Sequence, residues 1–223
     1  LENKNISWEK NGNFNIGADA TFLNNRLGVN FEYFNKNTKD MLLHYPMALS
    51  TGFSGYDANV GDMRNRGVEF EVRGALVQTN DFTWNMSFMG SIVRNKVTTL
   101  TEQSKEIVSG VRIIKEGMPL YTFYMAKSAG VDPQNGAQLY WAYEKDDEGN
   151  RIEGTDYITS DYSVAASHKY FLGNRTPDIY GSISTDASWK GLSLSVLTTY
   201  SIGGKIYDSM YAGSMENLYY NNN

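Results

Sequence analysis

The chain contains no cysteine and two histidines, and its net charge is −5. Without cysteine there is no disulfide framework and no zinc-thiolate site, which suits the cytosol or a cell-envelope protein that does without staples. With pI near 5.1 nothing points to nucleic acid as a partner. No run of about 18 apolar residues occurs, so no transmembrane helix is expected. A transmembrane β-barrel would leave no such run, because its lipid-facing residues occupy only alternate positions. Catalytic signatures are missing too: no GxSxG, no GxxxxGK, no HExxH spacing and no GxGxxG after a strand. No catalytic residue, metal or cofactor is assigned. His44 and His168 are both placed outside the strands, as solvated loop residues.

What the chain does have is aromatic residues, 13% of the total with 16 tyrosines, at a mean hydropathy of −0.46. From Phe14 to Phe34 the pattern is almost unambiguous. Phe14, Ile16, Ala18, Ala20 and Phe22 alternate with Asn15, Gly17, Asp19 and Thr21, a period of two that only an extended strand turns into one apolar face. After Asn24-Asn25-Arg26 the alternation resumes with Leu27, Val29, Phe31 and Tyr33, which makes a hairpin. Each strand runs roughly ten residues, the length that crosses a tilted bilayer and about twice the usual soluble strand. The polar face is mostly Asn, Gly, Asp, Thr and Ser with hardly any Lys, as the wettable interior of a wide barrel needs.

Two more hairpins follow. Val68, Phe70 and Val72 turn at Thr79-Asn80-Asp81 into Phe82, Trp84, Met86 and Phe88, while Ile179 to Trp189 turn at Lys190-Gly191 into Leu192 to Tyr200. A long connection is expected from His44 to about Met63, and a second, from 97 to 177, is expected as an extracellular loop insertion. Within it only Val111 to Ile114, Leu120 to Met125 and Ala137 to Tyr143 look strand-like. Asp146-Asp147-Glu148 before Gly149-Asn150 reads as an acidic hairpin tip, and Ile202 begins a further excursion. Phe22, Phe82, Trp84 and Trp189 near the short turns, with Tyr33, Phe34 and Tyr200 at the far ends, suggest two interfacial girdles. A soluble or surface carbohydrate-binding β-sandwich also alternates and stays open at this point, as does a simple diffusion porin.

The residues also resemble a known family. Ser7-Trp8-Glu9-Lys10, Asn13-Phe14-Asn15-Ile16-Gly17, Asn25-Arg26-Leu27 and Asn35 to Leu43 are similar to SusC/RagA-like TonB-dependent outer-membrane transporters. So are Asn59 to Glu71, Ala129 to Gly136 and Ser201 to Tyr207, in the right order along nearly the whole chain. The resemblance implies an all-β fold: residues 1–223 would be part of a single barrel domain of about 22 antiparallel strands, from its C-terminal portion. The chain, which opens on Leu1 with no leader pattern, is accordingly expected to be a segment of a longer protein, with the plug domain outside it. The resemblance further implies a Gram-negative outer-membrane location and active, non-enzymatic nutrient import driven through TonB acting on the plug. A SusD-like surface lipoprotein would serve as lid, with an oligosaccharide as the first expectation for the ligand and a peptide as the second. Candidates for contact with ligand or lid are the loop aromatics Tyr121, Phe123, Tyr124, Tyr140, Trp141 and Tyr143, which offer flat apolar faces. Packing of the loops against one another is the competing role for those rings.

Overall fold

A computed structural model describes residues 3–101 and 105–216. Six long antiparallel strands form one sheet in the order β1-β2-β3-β4-β12-β13. They are β1 (Lys10–Phe22), β2 (Leu27–Pro46), β3 (Gly55–Gln78), β4 (Phe82–Leu100), β12 (Ile179–Trp189) and β13 (Leu192–Ile202). The strict alternation of the three expected hairpins is therefore a property of real strands, and among the described residues every long element is an antiparallel strand.

The first and third short turns pass through left-handed backbone, eased by Asn24, Asn25 and Gly191. Asn24 and Asn25 sit at φ 53° and 66°, and Lys190-Gly191 at 46° and 88°, the two-residue turn whose twist matches that of the flanking strands. All three turns lie at one end of the sheet, where the Lys190 N–H donates to the Asp81 carbonyl at 3.1 Å.

Register places the apolar sets side by side. Ala18, Phe31, Phe70, Gly90, Gly181 and Tyr200 make one row, and Val72, Phe88, Ile183 and Thr198 fall in the next. Because the side-chain period is two, this register puts every such row on the same face. The opposite face carries Asp19, Asn30 and Glu71, and Ser87 with Ser184, whose hydroxyls meet at 2.8 Å. Phe14, Ile183 and Val196 are 57%, 39% and 43% exposed, and Val29, Phe70 and Met86 are half-buried. Among the described residues no second layer covers that face.

The girdle residues divide. Tyr200 stacks on Phe88 at 5.9 Å and its hydroxyl donates to the Met89 carbonyl at 2.9 Å. Glycine at 90 and 181 makes room for this arrangement, since a Cβ at Gly181 would lie 2.8 Å from the Tyr200 hydroxyl. Phe34 differs from the expectation: it points to the polar face, where its ring occupies the space above Gly67.

The first long connection is shorter than expected. β2 continues to Pro46 and β3 begins at Gly55, so only 47–54 links them, with a single 3-10 turn at Leu49–Thr51. The segment between Gly55 and Met63 is glycine-rich and polar, yet it pairs with β2 through Tyr45 opposite Tyr56. Gly55 and Gly61 sit at φ 157° and 151°, where a Cβ would fall 2.2 Å from the Tyr45 carbonyl and 2.0 Å from that of Thr99. His44 consequently lies inside β2, its Nδ1 at 3.1 Å from Asp57.

The second excursion, between β4 and β12, is an ordered module of two small sheets. One has the order β11-β7-β6-β5, from β5 (Glu106–Ser109), β6 (Arg112–Lys115), β7 (Thr122–Met125) and β11 (Tyr170–Asn174). The other, β10-β9-β8, joins β8 (Lys127–Val131), β9 (Gln138–Ala142) and β10 (Tyr157–Thr159). Helix α1 (Tyr162–Ser167) is capped by Asp161 at its start and by His168 at its end. Asp146 accepts the backbone N–H groups of Glu148 and Asn150, closing the acidic tip. Beyond β13 the chain forms α2 (Ser209–Glu216); the rest of the expected last excursion, 217–223, lies outside the described residues.

Candidate functional site

The module sits on the polar face of the tall strands. β12 pairs with β4 only as far as Ser91, so the upper edge of β4 is free to bind the module. There the Val97 N–H donates to the Met118 carbonyl and the Val97 carbonyl accepts from Gly117, both at 2.9 Å. Leu100 N–H donates to the Glu116 carboxylate at 2.5 Å, and Leu120 N–H to the Asn95 side chain at 2.7 Å. Asn95 and Val97 follow Ser91 at even steps and so share the face of Glu69, to which the Ser91 hydroxyl donates. Met41, Val60, Val97, Leu100, Ile107 and Leu120 close the joint as one apolar cluster.

Inside the module two of the six sequence-selected aromatics are packing residues: Phe123 and Tyr143 are each 6% exposed. Tyr143 meets His168 and Tyr170 edge-on at 4.9 and 5.3 Å. Tyr124 is half-buried and stacked on Phe171 at 5.0 Å; burial pushes its hydroxyl pKa up, as it does that of Tyr143. Tyr140 leans on Tyr162 at 5.5 Å, while Tyr121 and Trp141 keep part of a ring open.

The two partly open rings, Tyr121 and Trp141, are covered by cations. The Arg175 guanidinium lies 3.9 Å from the centre of the Tyr121 ring and Arg112 lies 5.9 Å from it. Lys127 stands 5.3 Å from both Trp141 and Tyr170. Tyr121 and Arg112 line an open cleft of about 430 Å³ with Leu43, His44, Ile107 and Ile114. Among the described residues no group of three His, Asp or Glu is placed to hold a metal ion. The chemistry on offer is non-covalent: ring faces, guanidinium donors and an apolar floor.

The sequence reading missed the knot that locks the module. Arg151 Nη2 donates to both carboxylate oxygens of Asp156, at 2.9 and 2.7 Å, and the guanidinium lies over Tyr143 and Tyr170 at 5.2 and 4.9 Å. The Tyr170 hydroxyl donates its one proton to Asp156 at 2.7 Å, with the Ala142 carbonyl 3.1 Å away as a second, weaker acceptor. Arg151 and Asp156 are five residues apart and Tyr170 lies fourteen beyond Asp156, but their spacing matches no motif, so no local signal marks them. Asp156 is held below the usual carboxylate range, first by the Tyr170 hydrogen bond and then by Arg151. A carboxyl whose folded pKa is depressed stabilises above its unfolded value of about 3.9, and that contribution is lost as pH falls through the folded pKa. Protection of 138–174 against hydrogen exchange, taken relative to the intrinsic rate at each pH, is therefore expected to fall below about pH 4. Asp156→Asn should exchange faster than wild type at neutral pH and show no such step.

The comparisons agree with this architecture. A family model described as "TonB dependent receptor-like, beta-barrel" matches residues 1–222. TonB-dependent receptor P3 of Formosa agariphila is 25% identical over 218 residues, covering 92% of this chain and 21% of that protein. TonB-dependent receptor SusC of Bacteroides thetaiotaomicron is 25% identical over 211 residues, with 92% and 20% covered. The solved structure of the RagAB peptide transporter is 34% identical with a TM-score of 0.77, covering 92% of this chain and 22% of that one. The chain thus spans about a fifth of the length of the curated relatives it matches. By the family model over its whole sequence and by the shared fold, the chain belongs to the TonB-dependent receptor-like β-barrel family.

Proposed function

We propose that this chain is part of the wall and outer mouth of an outer-membrane receptor that imports a nutrient, using energy delivered through TonB to a plug outside these residues. The observation that carries the reading is the uncovered apolar face. On β4 it extends from Phe82 to Ile92, ten residue steps, or roughly 34 Å of strand. At a tilt of about 45° that is about 24 Å of height, matching the apolar band of about 25 Å in outer-membrane barrels. β2, β3 and β4, at 20, 24 and 19 residues, are about twice as long as a crossing requires, so their upper halves and the module stand outside the hydrocarbon. In this reading 101–178 is extracellular and sits over the mouth, within reach of a SusD-like lipoprotein lid.

The cation-covered rings favour a peptide over the neutral oligosaccharide that the sequence resemblance suggests first. A sugar needs an open ring face for stacking, and the Tyr121 face carries Arg175. Guanidinium groups beside a cleft instead suit carboxylates, which they grip with paired donors. Tyr121, Tyr140 and Trp141 would contact ligand or lid, while Phe123, Tyr124 and Tyr143 hold the module in shape. The test is uptake of labelled peptide and oligosaccharide pools by cells carrying the full-length receptor and its lipoprotein, with and without a protonophore. Protonophore-sensitive peptide uptake that falls about tenfold in Arg112→Gln/Arg175→Gln is expected, at about 0.7 kcal/mol per lost contact, inside the net range of an ordinary hydrogen bond because glutamine still donates. Protein recovered in the soluble fraction, or uptake indifferent to the proton gradient, would sink the reading.

A further inference from the structure

The apolar face ends at the same level on three strands, and what replaces it is positive. Tyr33, Val68 and Ile92 lie side by side as its last row. The next outward row is Asn35, Arg66 and Arg94, and the one above it Asn37, Arg64 and Lys96. Arg66 faces Arg94 directly and Arg64 faces Lys96, and like charges so paired across strands are destabilising. Arg66, Arg94 and Lys96 are exposed and Arg64 is half-buried. Among the described residues the quartet has a single carboxylate partner, Asp178, 3.6 Å from Arg94 and itself 72% exposed. Four cations against one carboxylate leave an excess of three positive charges at one edge of the lipid-facing band. The band's other margin has no such cluster among the described residues: the nearby Arg26 is held by the carbonyls of Ala75 and Leu76.

We propose that Arg64, Arg66, Arg94 and Lys96 form a binding site for the phosphate groups of lipid headgroups in the leaflet on the module's side. The inference rests on the membrane reading given under Proposed function. Charge selects the anion, and guanidinium forks grip phosphate oxygens in pairs. Position selects a lipid over a free ion. A headgroup bound here lets its acyl chains run over Ile92, Val68, Phe70 and Phe88, where Phe70 and Phe88 pack at 5.7 Å. The like-charge repulsion that the bare sheet carries is relieved when phosphate lies between the cations.

The test is a titration of full-length receptor, in neutral detergent, with fluorescent phosphatidic acid. Arg64→Gln/Arg66→Gln/Arg94→Gln/Lys96→Gln is expected to weaken binding 10²–10³-fold, at about fivefold per cation removed. Lys36→Gln, on the polar face of β2 opposite Asn65, should stay within about twofold, and Arg66→Lys/Arg94→Lys should fall between wild type and the quadruple variant, because the charge is retained and the paired donors are lost. Equal binding by the quadruple variant and wild type, both inserting normally into phosphatidylcholine bilayers, overturns the inference and leaves the membrane reading standing. Inorganic phosphate displacing the lipid at similar concentration would make this a free-anion site and overturn the lipid assignment. Wild-type receptor that fails to enter bilayers at all defeats the membrane reading, and the lipid site with it.

Discussion

Ile183→Arg is expected to destabilise the full-length receptor in a bilayer by about 2–4 kcal/mol, the cost of a cation near the midplane of a lipid-facing barrel wall. Ile183 lies within the apolar band, opposite Phe88 on one side and Thr198 on the other. Ser182→Arg, one residue away on the polar face, should stay within about 0.5 kcal/mol, as exposed substitutions usually do. The contrast discriminates because Ile183 is 39% exposed. On a water-bathed sheet its replacement would be nearly silent as well. Guanidinium unfolding of the two variants in lipid vesicles reads the difference, and equal effects would mean that both faces are wet.

Leu120→Ala is expected to cost about 2–5 kcal/mol, the range for truncating a buried leucine where the surroundings cannot collapse. Leu120 is 6% exposed and belongs to the cluster that joins the module to β2, β3 and β4. Its N–H still has Asn95 as acceptor, so the loss is one of apolar packing and not of the tether. Hydrogen exchange should show the cost confined to 105–178, with β12 and β13 as protected as in wild type. Uniform loss over wall and module would show instead that the two unfold as one unit.

The division between what the sequence discloses and what it hides follows from what each strand separates. From Phe14 to Tyr33, Val68 to Phe88 and Ile179 to Tyr200 each strand has an apolar side and a watery one, and alternation is compulsory. From Gly55 to Met63 the same strand β3 lies beyond the apolar rows, and its residues look like loop although they are paired with β2. The small strands of the module escape for another reason. β10 is three residues long and β6 four, too short for any period to register. The aromatic richness of 121–143 was visible, but not which rings are buried. That depends on partners such as Arg151, Tyr170 and Arg175, which only the fold brings near.

The four backbone and side-chain tethers along β4, from Asn95 to Leu100, have a mechanical corollary. A rigid swing of the module away from the strands would have to break all of them, at about 1 kcal/mol each net, and also expose the cluster around Val97. With four tethers alone the swung-out form would be rarer than about one molecule in 10² to 10³. The module therefore behaves as a fixed cornice on a stiff mast, carried by the strands and not hinged on them.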